Sequence, residues 1–165
     1  MSAVAAESET SENEVKAAFL LNFPKYVEWP PEVFAESNTP IRVTILGDAG
    51  LANKFEQAIA GKTINGRMLI LQSLASTAEF TNDCHILFIS ASARRTVELL
   101  SHLHGASILT VSDEEGFLDR GGAIRFVRRN QKIRLEVNLT AAQAARLKIS
   151  SKLLSVADEV RGTSR

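Results

Sequence analysis

The sequence predicts an α/β fold: a single-domain three-layer sandwich with a mostly parallel sheet, an antiparallel hairpin at one edge and helices on both faces. Three observations predict it. Ile41–Leu46 (IRVTIL), His85–Ser90 (HILFIS) and Ser107–Val111 (SILTV) are nearly unbroken apolar runs, as strands covered on both faces require. Segments of helical spacing lie between them, the pattern of β-α-β units. After Gly116 the texture changes to alternation in Ala123–Arg129 (AIRFVRR) and Lys132–Asn138 (KIRLEVN), the mark of an antiparallel pair with one solvated face.

Met1–Asn13 (MSAVAAESETSEN) is small, polar and acidic, and reads as a disordered tail. Its Ala3-Val4-Ala5 fits the small-x-small pattern before a signal-peptidase cut, as a remnant of an export signal would. An Ala-rich cytoplasmic tail fits the same residues. A single α/β domain is expected over residues 14–161, with a short tail at 162–165. Glu14–Trp29 reads as a helix whose apolar face is Val15, Ala18, Phe19, Asn22, Phe23, Tyr26 and Val27, with Lys16 off that face. Pro24 should kink it, and Pro30-Pro31 stop it. The stripe Phe19, Phe23, Tyr26 suits burial better than a ligand platform.

Leu51–Ala60 reads as a helix ended by Gly61. Asn65-Gly66 is a two-residue hairpin turn between Lys62–Ile64 and Arg67–Gln72. Ser76–Phe80 reads as a turn or short helix, and Arg94–His104 as a helix with Val97, Leu100 and Leu103 inward. Asn130-Gln131 turns the second hairpin. Thr140–Leu147 and Ser151–Val160 read as helices, with Ile149, Leu153, Val156 and Val160 as an apolar stripe.

Nineteen basic and nineteen acidic residues give a formal net charge of zero, a poor basis for general nucleic-acid or membrane-surface binding. The charge is uneven. Residues 1–60 hold four basic and nine acidic side chains, net −5, whereas residues 115–165 hold eleven and five, net +6. Arg125, Arg128, Arg129, Lys132 and Arg134 cluster on the second hairpin without evident acidic neighbours, and are the candidate partner-binding residues. The same residues suit a solvated basic surface equally well. No exposed aromatic is interleaved with them, so base stacking is unsupported.

Ligands of open parallel sheets bind beyond the carboxyl ends of the strands. Gly47, Asp48, Ser90, Ser112 and Asp113 fall there and are the candidate ligand-binding residues, although such residues also turn loops and cap helices. No dinucleotide or phosphate-loop glycine pattern occurs, and no nucleophile elbow. His102 and His104 diverge on a helix, and Cys84-His85 points to opposite faces of a strand, so neither pair suggests metal or catalysis. No catalytic residue, metal or cofactor is expected. The one cysteine, Cys84, cannot form an internal disulfide.

Six segments in order carry a resemblance: Val15–Pro30 (VKAAFLLNFPKYVEWP), Asp83–Ser90 (DCHILFIS), Leu109–Phe117 (LTVSDEEGF), Gly121–Phe126 (GGAIRF), Leu135–Leu139 (LEVNL) and Leu147–Leu154 (LKISSKLL). Together they resemble the YfiR-like family of bacterial exported proteins. The resemblance implies a periplasmic α/β domain without enzymatic activity. It also implies a repressor that binds the periplasmic domain of a membrane sensor, a YfiN-like diguanylate cyclase, and restrains cyclic-di-GMP synthesis. An outer-membrane lipoprotein that relieves the restraint, and a homodimer, are implied as partners. The type member carries paired cysteines, whereas this chain keeps only Cys84. The expected function is thus a periplasmic regulator of a membrane sensor, with a small-anion or nucleotide binder using the strand-end cleft as the alternative.

Overall fold

The computed structural model describes residues 3–93, 96–103 and 105–162, and side chains from residue 11 onward. Arg94, Arg95 and His104 lie outside the described residues. The strands are β1 (Val27–Glu28), β2 (Ile41–Leu46), β3 (Thr63–Ile64), β4 (Arg67–Leu74), β5 (Ile86–Ile89), β6 (Leu109–Ser112), β7 (Ile124–Arg129), β8 (Lys132–Asn138), β9 (Lys148–Ile149) and β10 (Glu159–Arg161). The helices are α1 (Ala3–Tyr26), α2 (Ala49–Ile59), α3 (Thr96–His102), α4 (Leu139–Ala144) and α5 (Ser151–Val156).

Eight strands form one sheet in the order β10-β8-β7-β6-β5-β2-β4-β3. All neighbours run parallel except β7–β8 and β3–β4. β1 and β9 make a small antiparallel sheet of their own. The apolar runs sit where their sequence demands. β5 is buried at every residue between β2 and β6. Ile86 and Phe88 enter a larger core with Leu20 and Phe23 of α1 and Leu51 and Phe55 of α2. Leu87 and Ile89 enter a smaller core with Leu99 of α3 and Leu103. Both faces are therefore covered by helices. The two-residue turns form as the sequence indicates: Asn65 and Gly66, and Asn130 and Gln131, all adopt positive φ.

Val97, expected to face inward on α3, is 57% exposed, and three larger features also differ from the sequence reading. First, α1 begins at Ala3, so helix continues through most of the segment expected to be an irregular tail. Ala and Glu dominate that stretch, and both are good helix formers. Second, the buried face of α1 is displaced. Lys16, Ala17, Leu20, Leu21, Phe23 and Pro24 are buried, as is Val27 at the start of β1, while Val15 and Ala18 are exposed. Pro24 falls in the last turn, where the helix is already ending. Third, Ser151–Val160 is not one helix. α5 stops at Val156, and residues 159–161 pair with β8 as the parallel strand β10. Asp158 draws the chain onto β8: its N–H donates to Leu135 O, and its carboxylate takes Arg134 at 2.8 Å. Val156 and Val160 are exposed as a result, and β10 rather than the hairpin forms that edge.

Candidate functional site

Because β2, β5 and β6 run parallel, their carboxyl ends bring Gly47, Asp48, Ser90, Ser112 and Asp113 to one edge of the sheet. The loops there are tied to one another. Asp48 caps α2 by accepting from Leu51 N at 2.9 Å. Ser90 Oγ and Ser92 Oγ share a hydrogen bond of 2.9 Å, and Ser92 Oγ donates to Gly47 O. Ser112 Oγ donates to Ile89 O and accepts from Glu114 N. Asp113 accepts from Ala91 N at 2.8 Å and pairs with Lys16 Nζ at 3.0 Å. Lys16, only 8% exposed, is the residue the sequence reading missed. Its helical position puts it beside Ala17 and Leu20, but nothing local reveals a partner 97 residues away. An anion entering here would meet the Asp113 carboxylate, and Lys16, the cation the described residues place beside it, is already paired.

The hairpin register sets Arg125 opposite Glu136 and Arg129 opposite Lys132. Glu136, 6% exposed, takes Arg125 at 3.2 Å and Arg129 at 2.9 Å. Asp158 holds Arg134, and Arg129 at 3.5 Å. Arg128, on the other face of the strand, reaches Glu12 of α1 at 3.0 Å. The expectation of a basic cluster without acidic neighbours is thus corrected. Two of the three acids arrive from α1 and from the loop before β10, which spacing along the hairpin could not show.

The outer side of α1 forms a groove. Phe23 is buried and stacked on Phe126 with ring centroids 6.2 Å apart, but Phe19 and Tyr26 are only half-buried. They line a hollow of about 240 Å³ with Asn22 and with Lys152, Leu153 and Val156 of α5. One turn earlier, Val15 and Glu12 line a second hollow of about 330 Å³ with Lys132 and Ile133 of the hairpin. Val15 is 41% and Val156 53% exposed.

At the opposite end of the strands, Cys84 and His85 are built into the structure. His85 Nδ1 accepts from Arg42 N at 3.0 Å, and its ring stacks on Phe34 at 4.7 Å. Trp29 Nε1 donates to His85 O, and the Arg67 guanidinium lies 3.9 Å from the centre of the Phe34 ring. Burial holds His85 below the usual imidazole range and pushes the Cys84 thiol up to about 11. A protonated thiol is a weak nucleophile and metal ligand. Among the described residues, no group of three or more His, Cys, Asp or Glu could hold a metal ion, and no helix is long and apolar enough to cross a membrane.

No curated protein matches the chain. A solved structure described as a conserved domain protein from Vibrio cholerae O1 biovar El Tor str. N16961 is similar in fold, with a TM-score of 0.60 at 10% identity. The match covers 90% of this chain and 60% of that one, so this chain spans less than two thirds of that structure. At such low identity it shows the α/β architecture alone. The family model described as YfiR/HmsC-like matches residues 13–158. That span runs from α1 through the hairpin to the end of α5, and by it the chain belongs to the YfiR/HmsC-like family.

Proposed function

We propose that this chain is a periplasmic regulatory binding protein that inhibits or tunes a membrane-bound sensor, a YfiN-like diguanylate cyclase, by protein–protein contact. The observation that carries the reading is the family match over residues 13–158. Membership supports a regulatory role in cyclic-di-GMP signalling rather than an enzymatic one. The geometry agrees with it. Among the described residues, Ser90, Ser92, Lys16 and Asp113 at the strand ends are engaged with one another, which favours the protein-contact reading over the small-anion one.

The surface we assign to the contact is the outer face of α1 with α5 and the hairpin tip. Val15, Phe19, Tyr26 and Val156 give it an apolar centre, and Lys132 and Lys152 border it. An apolar centre inside a polar rim is the usual anatomy of a specific interface. Of the five basic hairpin residues, Lys132 sits at this border, while the four arginines are largely balanced by Glu12, Glu136 and Asp158. Regulation would follow from tighter binding to one signalling state of the sensor than to the other.

The test is binding to the isolated periplasmic domain of a membrane-bound diguanylate cyclase from the same organism. Val15→Asp and Val156→Asp alter exposed positions, so folding should be retained while affinity falls about tenfold or more. Unchanged affinity in both variants would remove this surface from the mechanism. Absence of binding by the wild type would remove the sensor as partner.

A further inference from the structure

The carboxyl ends of the central strands are tied up by their own side chains, but the amino ends are not. There β2, β5 and β6 start side by side. His85 N donates to Arg42 O at 2.8 Å, and Leu109 N donates to His85 O at 2.9 Å. A hollow of about 210 Å³ opens at this end, lined by Arg42, Asp83, His85 and Ser107. Val33 and Thr39, from the segment between β1 and β2, make another part of its wall. Arg67 fixes that segment by donating to Glu36 O and Thr39 O at 2.9 Å.

Three of the polar side chains lining the hollow lack partners among the described residues. Ser107 is 9% exposed, and its Oγ is buried with no hydrogen-bond partner. A buried hydroxyl left unpaired is destabilising, so its presence calls for a reason. Arg42 and Asp83 carry opposite charges, yet neither side chain forms an ion pair or a hydrogen bond, with the other or with any other described residue. Both lie close enough to His85 for their charges to act on its titration, in opposite senses. His85 adds a donor. Its Nδ1 accepts from Arg42 N, so the neutral ring carries its proton on Nε2, whose contact with Val33 O is long at 3.5 Å.

A cation, an anion and neutral donors around one hollow select a ligand that carries both charges. A plain carboxylate would be drawn to Arg42 but repelled by Asp83, and a plain amine the reverse. The volume is below the roughly 300–1,000 Å³ of pockets that take drug-sized molecules, which restricts the ligand to a few heavy atoms. We propose that this hollow is a binding site for a small aliphatic zwitterion, its carboxylate held by Arg42 and the Ser107 hydroxyl and its ammonium by Asp83. Hydrogen bonds in which both partners are charged are the strong ones, and two of them at fixed places also set the ligand's orientation. None of these residues belongs to the surface assigned to the sensor contact, so the proposal stands or falls independently of it.

Isothermal titration calorimetry with glycine, β-alanine and γ-aminobutyrate tests it, because these place the ammonium progressively farther from the carboxylate. At least one should bind the wild type, with acetate and methylammonium each about tenfold weaker or more. Arg42→Gln and Asp83→Asn alter exposed side chains, so folding should be retained while affinity for that zwitterion falls about tenfold or more. Ser107→Ala separates binding from structure. Without ligand it should melt no lower than the wild type, since no partner within the chain is lost, yet it should bind about threefold weaker or more. The proposal is overturned by a wild type that binds none of the three zwitterions, by acetate or methylammonium binding as tightly, or by folded variants of unchanged affinity. A Ser107→Ala protein that melts well below the wild type also overturns it, because the hydroxyl would then have a partner within the chain.

Discussion

Lys16 and Asp113 show how one pair can close a site that topology offers. The ammonium is nearly enclosed, while the carboxylate keeps 24% of its side chain exposed, so the two partners are not equivalent. Removing the carboxylate leaves a buried positive charge without compensation and also strips Ala91 N of its acceptor. Asp113→Ala should therefore cost about 3 kcal/mol, near the low end for a broken buried pair. Lys16→Met leaves the better-solvated partner behind and keeps the packing of the stem, so its cost should be about 1 kcal/mol. Urea denaturation of the two variants checks the order, and equal costs would refute the asymmetry. His85 sets a second expectation. Its folded-state pKa lies below the ordinary value, chiefly through burial. The unfolded chain takes up a proton near pH 6.5 that the native imidazole refuses. This contribution is complete above that pH and is lost as pH falls through the native pKa. Urea midpoints should thus drop between neutral pH and the onset of carboxylate titration, and His85→Gln should flatten that drop. An identical pH profile in the variant would show that His85 is not its source.

Among the elements, α1 separates what local pattern can reveal from what it cannot. Phe23 and Val27 belong to both the expected and the observed buried face, so the helix and its aromatic anchor were legible. The rest of the face was not, because Leu20 and Leu21 are apolar on one side and Val15 and Phe19 on the other. A helix this apolar has two candidate stripes, and only the sheet beneath it chooses. Phe23→Ala should cost about 3–5 kcal/mol, since the ring is 1% exposed and packed on Phe126. Phe19→Ala should cost clearly less, because its ring is half solvated in the groove. Denaturant titration distinguishes the two, and equal losses would mean that the groove is closed in solution. β10 failed to show for a related reason. Val156 and Val160 continue a helical spacing, but the Asp158 contacts to β8 outweigh it. The central strands and both turns needed no such tertiary information. Burial on two faces and positive φ are written into residue type.

For the whole molecule, charge decides how a partner would be met. The acidic first third and basic last third meet at the surface through Arg128–Glu12 and Arg146–Glu32, so part of the asymmetry visible in the sequence is matched within the chain. The candidate site was legible to the same degree. The sequence located the hairpin and the strand-end loops, but not the pairs that occupy them, because those pairs are distant along the chain. What faces outward near the α1 groove is the residual positive charge of Lys132 and Lys152, neither of which has an ion-pair partner in the structure as described. A sensor domain approaching this side should be steered by those lysines. Rim charges act mainly on the association rate and weaken with salt, because the Debye length shortens to about 8 Å near physiological ionic strength. Lys132→Glu with Lys152→Glu should slow association with the isolated sensor domain severalfold at low salt, with little change in dissociation and none in melting temperature. Arg128→Glu with Arg129→Glu should slow it too, but with measurable destabilisation, because those arginines also hold Glu12, Glu136 and Asp158. Stopped-flow binding at low and moderate salt, alongside thermal melts, separates steering from folding. If the lysine reversals leave the association rate unchanged and the wild-type rate ignores salt, encounter is driven by the apolar groove alone, and the basic hairpin serves only the fold.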